Sequence, residues 1–143
     1  MSHGKVLLVE DNRQDEALIL RALRKINLAN EIVVVRDGQQ ALDFLLGTGE
    51  FSDRRDAELP VFVMLDINLP RLSGLEVLAS LRAAPRTRLL PVVIMTSSDE
   101  DEDRLQSYAI GCNSFVRKPL EFAEFAETVA RLGIYWGAIN QPP

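Results

Sequence analysis

The chain has one cysteine and one histidine in 143 residues. A lone cysteine, Cys112, excludes an internal disulfide and fits a reducing compartment, the cytoplasm. With no histidine available to activate it, Cys112 reads as a small buried hydrophobe rather than a nucleophile. His3, beside the amino terminus, is assigned no role. Positive charge is in deficit as well: 16 Lys and Arg stand against 21 Asp and Glu, giving a net charge of −5 and a pI near 4.9. That balance argues against a nucleic-acid-binding surface, and the one basic stretch, "RALRK" (21–25), is a helix face. No apolar run approaches the roughly 20 residues needed to cross a bilayer. The start, "MSHGKV", lacks the apolar region of a signal peptide. No membrane association is expected. Aromatic residues amount to only 6%. What remains is ordinary for one globular domain able to bury a sizeable core: 47% apolar and 26% charged residues, with no internal repeat.

Short apolar runs alternate with longer amphipathic segments. "KVLLV" (5–9), "EIVVV" (31–35), "VFVML" (61–65), "VVIM" (92–95) and "SFV" (114–116) read as strands. Between and after them, helices are predicted over 13–27, 39–46, 75–84, 99–110 and 121–136. The first would carry Ala17, Leu18, Ala22, Leu23 and Ile26 on its inner face, with Asn12 as its N-cap and Asp15 three residues on. The last would bury Phe122, Phe125, Val129 and Leu132. Asp37-Gly38 marks a turn, Gly111 ends the fourth helix, and Ser98 with Asp101 makes a capping pair. The acidic run Asp99–Asp103 reads as a solvated helix start favoured by the helix dipole. Residues 47–60 read as a long polar loop, and the tail "AINQPP" as loose. The order is βα five times, and the strands are continuously apolar, as when helices cover both faces of a parallel sheet. The fold class is therefore an open, doubly wound α/β domain, whose functional groups gather at the carboxyl ends of the strands.

Strand one ends in Glu10 and Asp11. Strand three, "VFVMLDINLP", runs from the core into Asp66, with Asn68 two residues on. Strand four ends in Thr96, followed by Ser97 and Ser98, and strand five in Arg117 and Lys118. If strands one, three, four and five are neighbours, three carboxylates, a hydroxyl and an ammonium meet at one edge. Packed carboxylates repel one another, and a cation removes the conflict. Oxygen-only ligands suit a hard ion, Mg²⁺ or Mn²⁺, rather than zinc. These are the parts of phosphoryl transfer: Asp66 as nucleophile forming an acyl phosphate, Lys118 as point charge, Thr96 as the hydroxyl that senses phosphate. Taken singly, each residue has a plainer reading as a turn, cap or loop residue; together, in register, they point to function.

"VLLVEDN" (6–12), "VMLDINLPRLSG" (63–74), "VVIMTSS" (92–98) and "FVRKP" (115–119) together resemble the receiver domain of bacterial response regulators. The resemblance spans nearly the whole chain. It implies a flavodoxin-like (βα)5 fold with a five-stranded parallel sheet in the order 2-1-3-4-5. It implies that Asp66 accepts a phosphoryl group from a phosphohistidine on a sensor histidine kinase, so that the chain catalyses only its own phosphorylation and dephosphorylation. It further implies that Asp11, Asp66 and the Asn68 carbonyl hold Mg²⁺, with Glu10 helping through water, and that Thr96, Phe115 and Lys118 are the switch threonine, switch aromatic and lysine of the family. Asn68 and Ser98 would tune the hydrolysis of the acyl phosphate, and the surface of the fourth helix, fifth strand and fifth helix would change on phosphorylation. Two departures are visible: Glu10-Asp11 stands where many receivers carry Asp-Asp, and Phe115 where the family often has Tyr, so an inward rotation is read out by packing alone.

Only seven residues follow Trp136, so residues 1–143 are expected to form a single receiver domain, with a core over about 4–136 and no output domain. Among single-domain receivers the chain resembles those that serve bacterial phytochrome kinases, through "VEDN…D" at the first helix (9–15), "RDGQQALDFL" (36–45), the long loop at 47–60 and "IYW" (134–136). That resemblance implies a bacteriophytochrome partner and a homodimer, with Ile134, Tyr135 and Trp136 as an apolar patch. Three rivals are weaker. A flavin module would want a phosphate loop where Glu10-Asp11 would repel it. An aspartyl-phosphate phosphatase would want a second Asp where Asn68 stands. A degenerate receiver acting as a scaffold would not need so complete a site.

Overall fold

The computed structural model describes residues 4–143; His3 lies outside them. Five strands, β1 (Lys5–Val9), β2 (Glu31–Val35), β3 (Phe62–Leu65), β4 (Val92–Thr96) and β5 (Ser114–Arg117), alternate with α1 (Arg13–Lys25), α2 (Gly38–Leu46), α3 (Gly74–Ala83), α4 (Asp101–Ile110) and α5 (Phe122–Ile134). All pairings are parallel, in the order β2-β1-β3-β4-β5. The doubly wound fold with strand order 2-1-3-4-5 is thus present. The order reverses between β1 and β3, and ligand sites of such sheets sit at that point.

The strands look continuously apolar because both faces are covered, yet each strand still alternates. Val6, Leu8, Phe62, Met64, Val93 and Met95 face α1 and α5, packing on Ile19, Leu23, Phe125 and Val129. Leu7, Val9, Val63, Leu65, Val92 and Ile94 face the other way, against Ala41, Leu45, Val77, Leu78 and Leu81. Cys112 belongs to this second layer, and burial pushes its thiol up to about 11, in keeping with an inert hydrophobe.

Several element ends depart from the periodicity. α1 stops at Lys25 because Asn27 turns left-handed (φ 55°), and its buried face is Ile19, Ala22 and Leu23 while Ala17 is exposed. Asn12 caps it as expected, its Oδ1 accepting from the Asp15 N–H at 2.9 Å. α4 begins at Asp101, not 99. Ser98 does not pair with Asp101; its hydroxyl donates to Asp103 Oδ2 at 2.6 Å and accepts from the Glu100 N–H. Phe122 sits at the first turn of α5 and is exposed. The segment 47–60 is not an irregular loop: Gly49–Arg54 forms a 3₁₀ stretch. Phe51 meets Phe44 edge-on at 5.3 Å, and the Arg54 guanidinium lies 3.7 Å over the Phe44 ring. Arg86 ties the segment down by donating to the carbonyls of Leu45, Arg55 and Ala57. The tail is not wholly loose either, since Tyr135–Ile139 continues α5 as one wide turn. Trp136 folds back on the α1–α5 core layer, whereas Ile134, Tyr135 and Ile139 remain exposed.

α3 starts with Ser73 as N-cap, its Oγ accepting from the Glu76 N–H, and with Gly74 packed on the backbone that leaves β3. A Cβ at Gly74 would overlap the Asp66 carbonyl oxygen and lie 2.7 Å from Ile67 Cα. Backbone cannot step aside as a flexible side chain can. Gly74→Ala is therefore expected to cost about 2–3 kcal/mol by forcing a backbone shift, read by urea unfolding; a change below 0.5 kcal/mol would show that the loop after Asp66 yields freely.

Candidate functional site

The carboxyl ends of β1, β3 and β5 converge on one ammonium. Lys118 leaves β5 with its N–H donating to the Thr96 carbonyl at 2.7 Å, which sends its side chain along the sheet edge toward β1. Its Nζ donates to Glu10 Oε1 at 2.7 Å, Asp15 Oδ2 at 2.8 Å and Asp66 Oδ2 at 2.9 Å. An ammonium has three protons to donate, and all three are used. Glu10 and Lys118 are 1% and 6% exposed, and Asp66 is 6% exposed. The carboxylate that ends β3 is therefore met by a buried positive charge, which offsets the cost of leaving it out of water.

Each acid is held from a second side. Glu10 Oε2 accepts from the Asn12 N–H at 3.3 Å, and the Glu10 N–H donates to Val35 O. Asp66 Oδ1 accepts from the Asn68 N–H at 3.0 Å, closing a turn directly after β3. Asp15 hangs from the first turn of α1. Three carboxylates facing one ammonium leave two net negative charges. Burial pushes the Glu10 carboxyl up to about 7 from its ordinary 4.5, outweighing the pull of Lys118 in the other direction. For Lys118 burial alone would lower the pKa; the hydrogen bonds to Asp15 and Glu10 and the charge of Asp66 overturn that and hold it above the ordinary lysine range.

The other expected residues lie around this centre. Thr96 is fully buried at the end of β4, and its Oγ1 accepts from the Ser98 N–H at 3.3 Å. Phe115 is half-buried against the α2–α3–α4 layer, and its N–H donates to the Tyr108 hydroxyl at 3.3 Å. Asn68 is exposed at the rim, and so is Asp11, which does not join the acids on Lys118. Among the described residues no three acidic, histidine or cysteine side chains stand close enough together to share a metal ion. The donor chemistry nevertheless fits a hard divalent cation: oxygen ligands only, and a negative charge that one lysine leaves uncompensated. Asp15 is the residue that the sequence offers as a helix cap and as the last residue of "VEDN…D", with no place at the site. Its place in the first turn of α1, directly after the acidic end of β1, is the signal that could have placed it at the site.

The chain is similar to known proteins along nearly its whole length. The model of the response regulator receiver domain matches residues 6–130. The probable methanogenesis regulatory protein FilR2 of Methanothrix harundinacea (strain 6Ac) is 37% identical over 138 residues, 96% of this chain and 86% of that protein. Among solved structures, the phosphorylated cyanobacterial phytochrome response regulator RcpA is similar with a TM-score of 0.91 and 33% identity, covering 99% of both chains. The Mn(2+)-bound form of response regulator Rcp1 is similar with a TM-score of 0.91 and 30% identity, over 98% of this chain and 99% of that one. The bacteriophytochrome response regulator AtBRR has a TM-score of 0.75 and 46% identity, over 96% and 98%.

The raised pKa of Glu10 sets a pH dependence. Below pH 4.5 the carboxyl is protonated in folded and unfolded chains alike. Between 4.5 and 7 the unfolded chain releases a proton that the folded chain keeps, so stability falls as pH rises through that window, by about 3 kcal/mol in all. Glu10→Gln removes this dependence. In EDTA, its stability relative to the wild type should rise by about that amount from pH 4.5 to 8; a constant difference in urea unfolding across the range would refute the assignment.

Proposed function

This chain belongs to the response regulator receiver domain family, and from that premise we propose that it is a phosphoacceptor taking its phosphoryl group on Asp66 from a sensor histidine kinase. The observation that carries the reading is the buried contact of Lys118 with Asp66 and Glu10 at the point where strand order reverses. An Asp66 oxygen attacks phosphorus in line. The P–O bond forms as the P–N bond of the donor's phosphoimidazole breaks, and the electron pair returns to the ring. Lys118 offers its ammonium to the equatorial oxygens. Mg²⁺ (or Mn²⁺), held by Asp11, Asp66 and the Asn68 carbonyl with Glu10 acting through water, would neutralise the charge that spreads there; the Mn(2+)-bound form of Rcp1 supports such a site.

The Thr96 hydroxyl accepts from the Ser98 N–H and has a proton to donate to a phosphoryl oxygen, so it can turn inward, giving up the Ser98 contact and vacating space. Phe115 follows into the space by packing, and the α4–β5–α5 surface shifts between two populations. Asn68 and Ser98 flank the approach of water and set the lifetime of the acyl phosphate. The chain's catalysis is confined to its own phosphorylation and dephosphorylation. Similarity to RcpA and AtBRR, named for phytochrome and bacteriophytochrome signalling, supports a bacteriophytochrome as the kinase. The exposed Ile134, Tyr135 and Ile139 support a homodimer through the end of α5. Sedimentation at high concentration, with and without a phosphoryl mimic, is expected to show the dimer; a monomer in both conditions removes it.

The decisive measurement is intact mass after incubation with acetyl phosphate or phosphoramidate and Mg²⁺. One phosphoryl group is expected, absent in Asp66→Asn and in EDTA. Persistent labelling of Asp66→Asn would overturn the nucleophile. No labelling of the folded wild type by small donors or by a kinase would leave the degenerate, scaffold-type receiver as the better description.

A further inference from the structure

The family reading assigns Lys118 one task, and the structure gives its ammonium a third partner that this task does not explain. We propose that Asp15 is a positioning residue: it holds the Lys118 ammonium in the resting protein and is the acceptor that releases it when a phosphoryl group arrives on Asp66. The proposal rests on Asp66 being the phosphoacceptor.

The argument starts from saturation. Lys118 Nζ has three protons, and Glu10, Asp15 and Asp66 take one each, at 2.7, 2.8 and 2.9 Å. A phosphoryl oxygen can be bonded only if one of these is given up. The three acceptors are not equal. The Glu10 and Asp66 side chains are 2% and 7% exposed; that of Asp15 is 25% exposed. A carboxylate released from Lys118 must find water, and of the three only Asp15 already reaches it. Releasing Glu10 would strand a nearly buried charge. Asp66 is the atom group being modified and stays beside the lysine. Asp15 is also hinged for the change. Its backbone N–H is fixed to the Asn12 side chain at 2.9 Å, in the capped first turn of α1, so its side chain can swing out while the helix stays in place.

The consequence is a split in the kinetics. Asp15 stabilises the resting state alone, since in the attacking and phosphorylated states the ammonium has moved to phosphoryl oxygens. Weakening this contact therefore speeds phosphorylation and leaves hydrolysis of the acyl phosphate unchanged. Replacing a charge-assisted hydrogen bond by a neutral one of about half the strength predicts about a five-fold faster labelling.

The test uses the full chain and Asp15→Asn, with acetyl phosphate and Mg²⁺. Glu16→Gln serves as the control for charge alone: it removes one negative charge from the same helical turn, and Glu16 pairs with Arg36, not Lys118. The expected result is faster labelling of Asp15→Asn, near-wild-type labelling of Glu16→Gln, and dephosphorylation rates within two-fold of wild type for both. A second readout needs no turnover: the ¹⁵Nζ resonance of Lys118 should move on phosphorylation of the wild type and should already be displaced in resting Asp15→Asn. Equal acceleration by both variants would mean simple repulsion of the anionic donor and would overturn the proposal. So would unchanged labelling of Asp15→Asn, or a Lys118 resonance indifferent to it. A wild type that takes no phosphoryl group at all instead defeats the phosphoacceptor reading, which separates the two failures.

Discussion

Everything at the carboxyl edge of this sheet depends on one buried ammonium. Lys118 is 108 residues from Glu10 and 52 from Asp66 in sequence, and only the order β2-β1-β3-β4-β5 brings the ends of β1, β3 and β5 within reach of one side chain. The dependence runs both ways. Without Lys118, Glu10 and Asp66 would be two carboxylates withdrawn from water with no compensating charge, a loss of about 3–5 kcal/mol. With it, the ends of three strands are cross-linked by a contact that is still short of positive charge. The site is stable enough to fold and has negative charge left over for a cation to act on.

The same shortage explains why the edge can respond at all. A fully compensated cluster would gain little from binding anything. Here the deficit falls on Glu10, the most deeply buried acid, whose carboxyl is pushed up to about 7. A divalent cation among these oxygens would favour the ionised form, so cation binding and loss of a proton from Glu10 would be linked.

How much of this was legible in the sequence follows from which interactions are local. The strands, their alternation and the caps of α1 and the fourth helix's Gly111 are set by neighbours within a few residues, and the apolar runs announced them. Glu10, Asp66, Thr96 and Lys118 were legible because a doubly wound sheet places strand ends together whatever lies between. What escaped depends on contacts with no periodic signature. The segment 47–60 is ordered by Phe44 and by Arg86, which reaches the carbonyls of Arg55 and Ala57 from 31 and 29 residues away. Ser98 prefers Asp103 over Asp101 because α4 starts later than its acidic run suggests. Asp15 reads as a cap because its backbone does serve a cap, while its side chain does something else.

The two ends of the sheet are built on different principles, and that difference directs where motion can go. At the amino-terminal edge, the Arg82 guanidinium donates to the carbonyls of Gly111, Thr87 and Arg88 and to Asn113 Oδ1; that same oxygen accepts from the Val92 N–H. The starts of β4 and β5 are thereby tied to α3 through neutral acceptors that no change of charge disturbs. At the carboxyl edge the corresponding ties are the Thr96–Ser98–Asp103 chain and the Lys118 cluster, all built from charged or hydroxyl groups. β5 is joined to α4 by a bond from the Phe115 N–H to the Tyr108 hydroxyl, and Arg117 at its end pairs with Asp99 at 3.6 Å. If Asp66 takes up a charge, as the proposed function requires, the change would fall on the polar end of a unit whose other end is fastened.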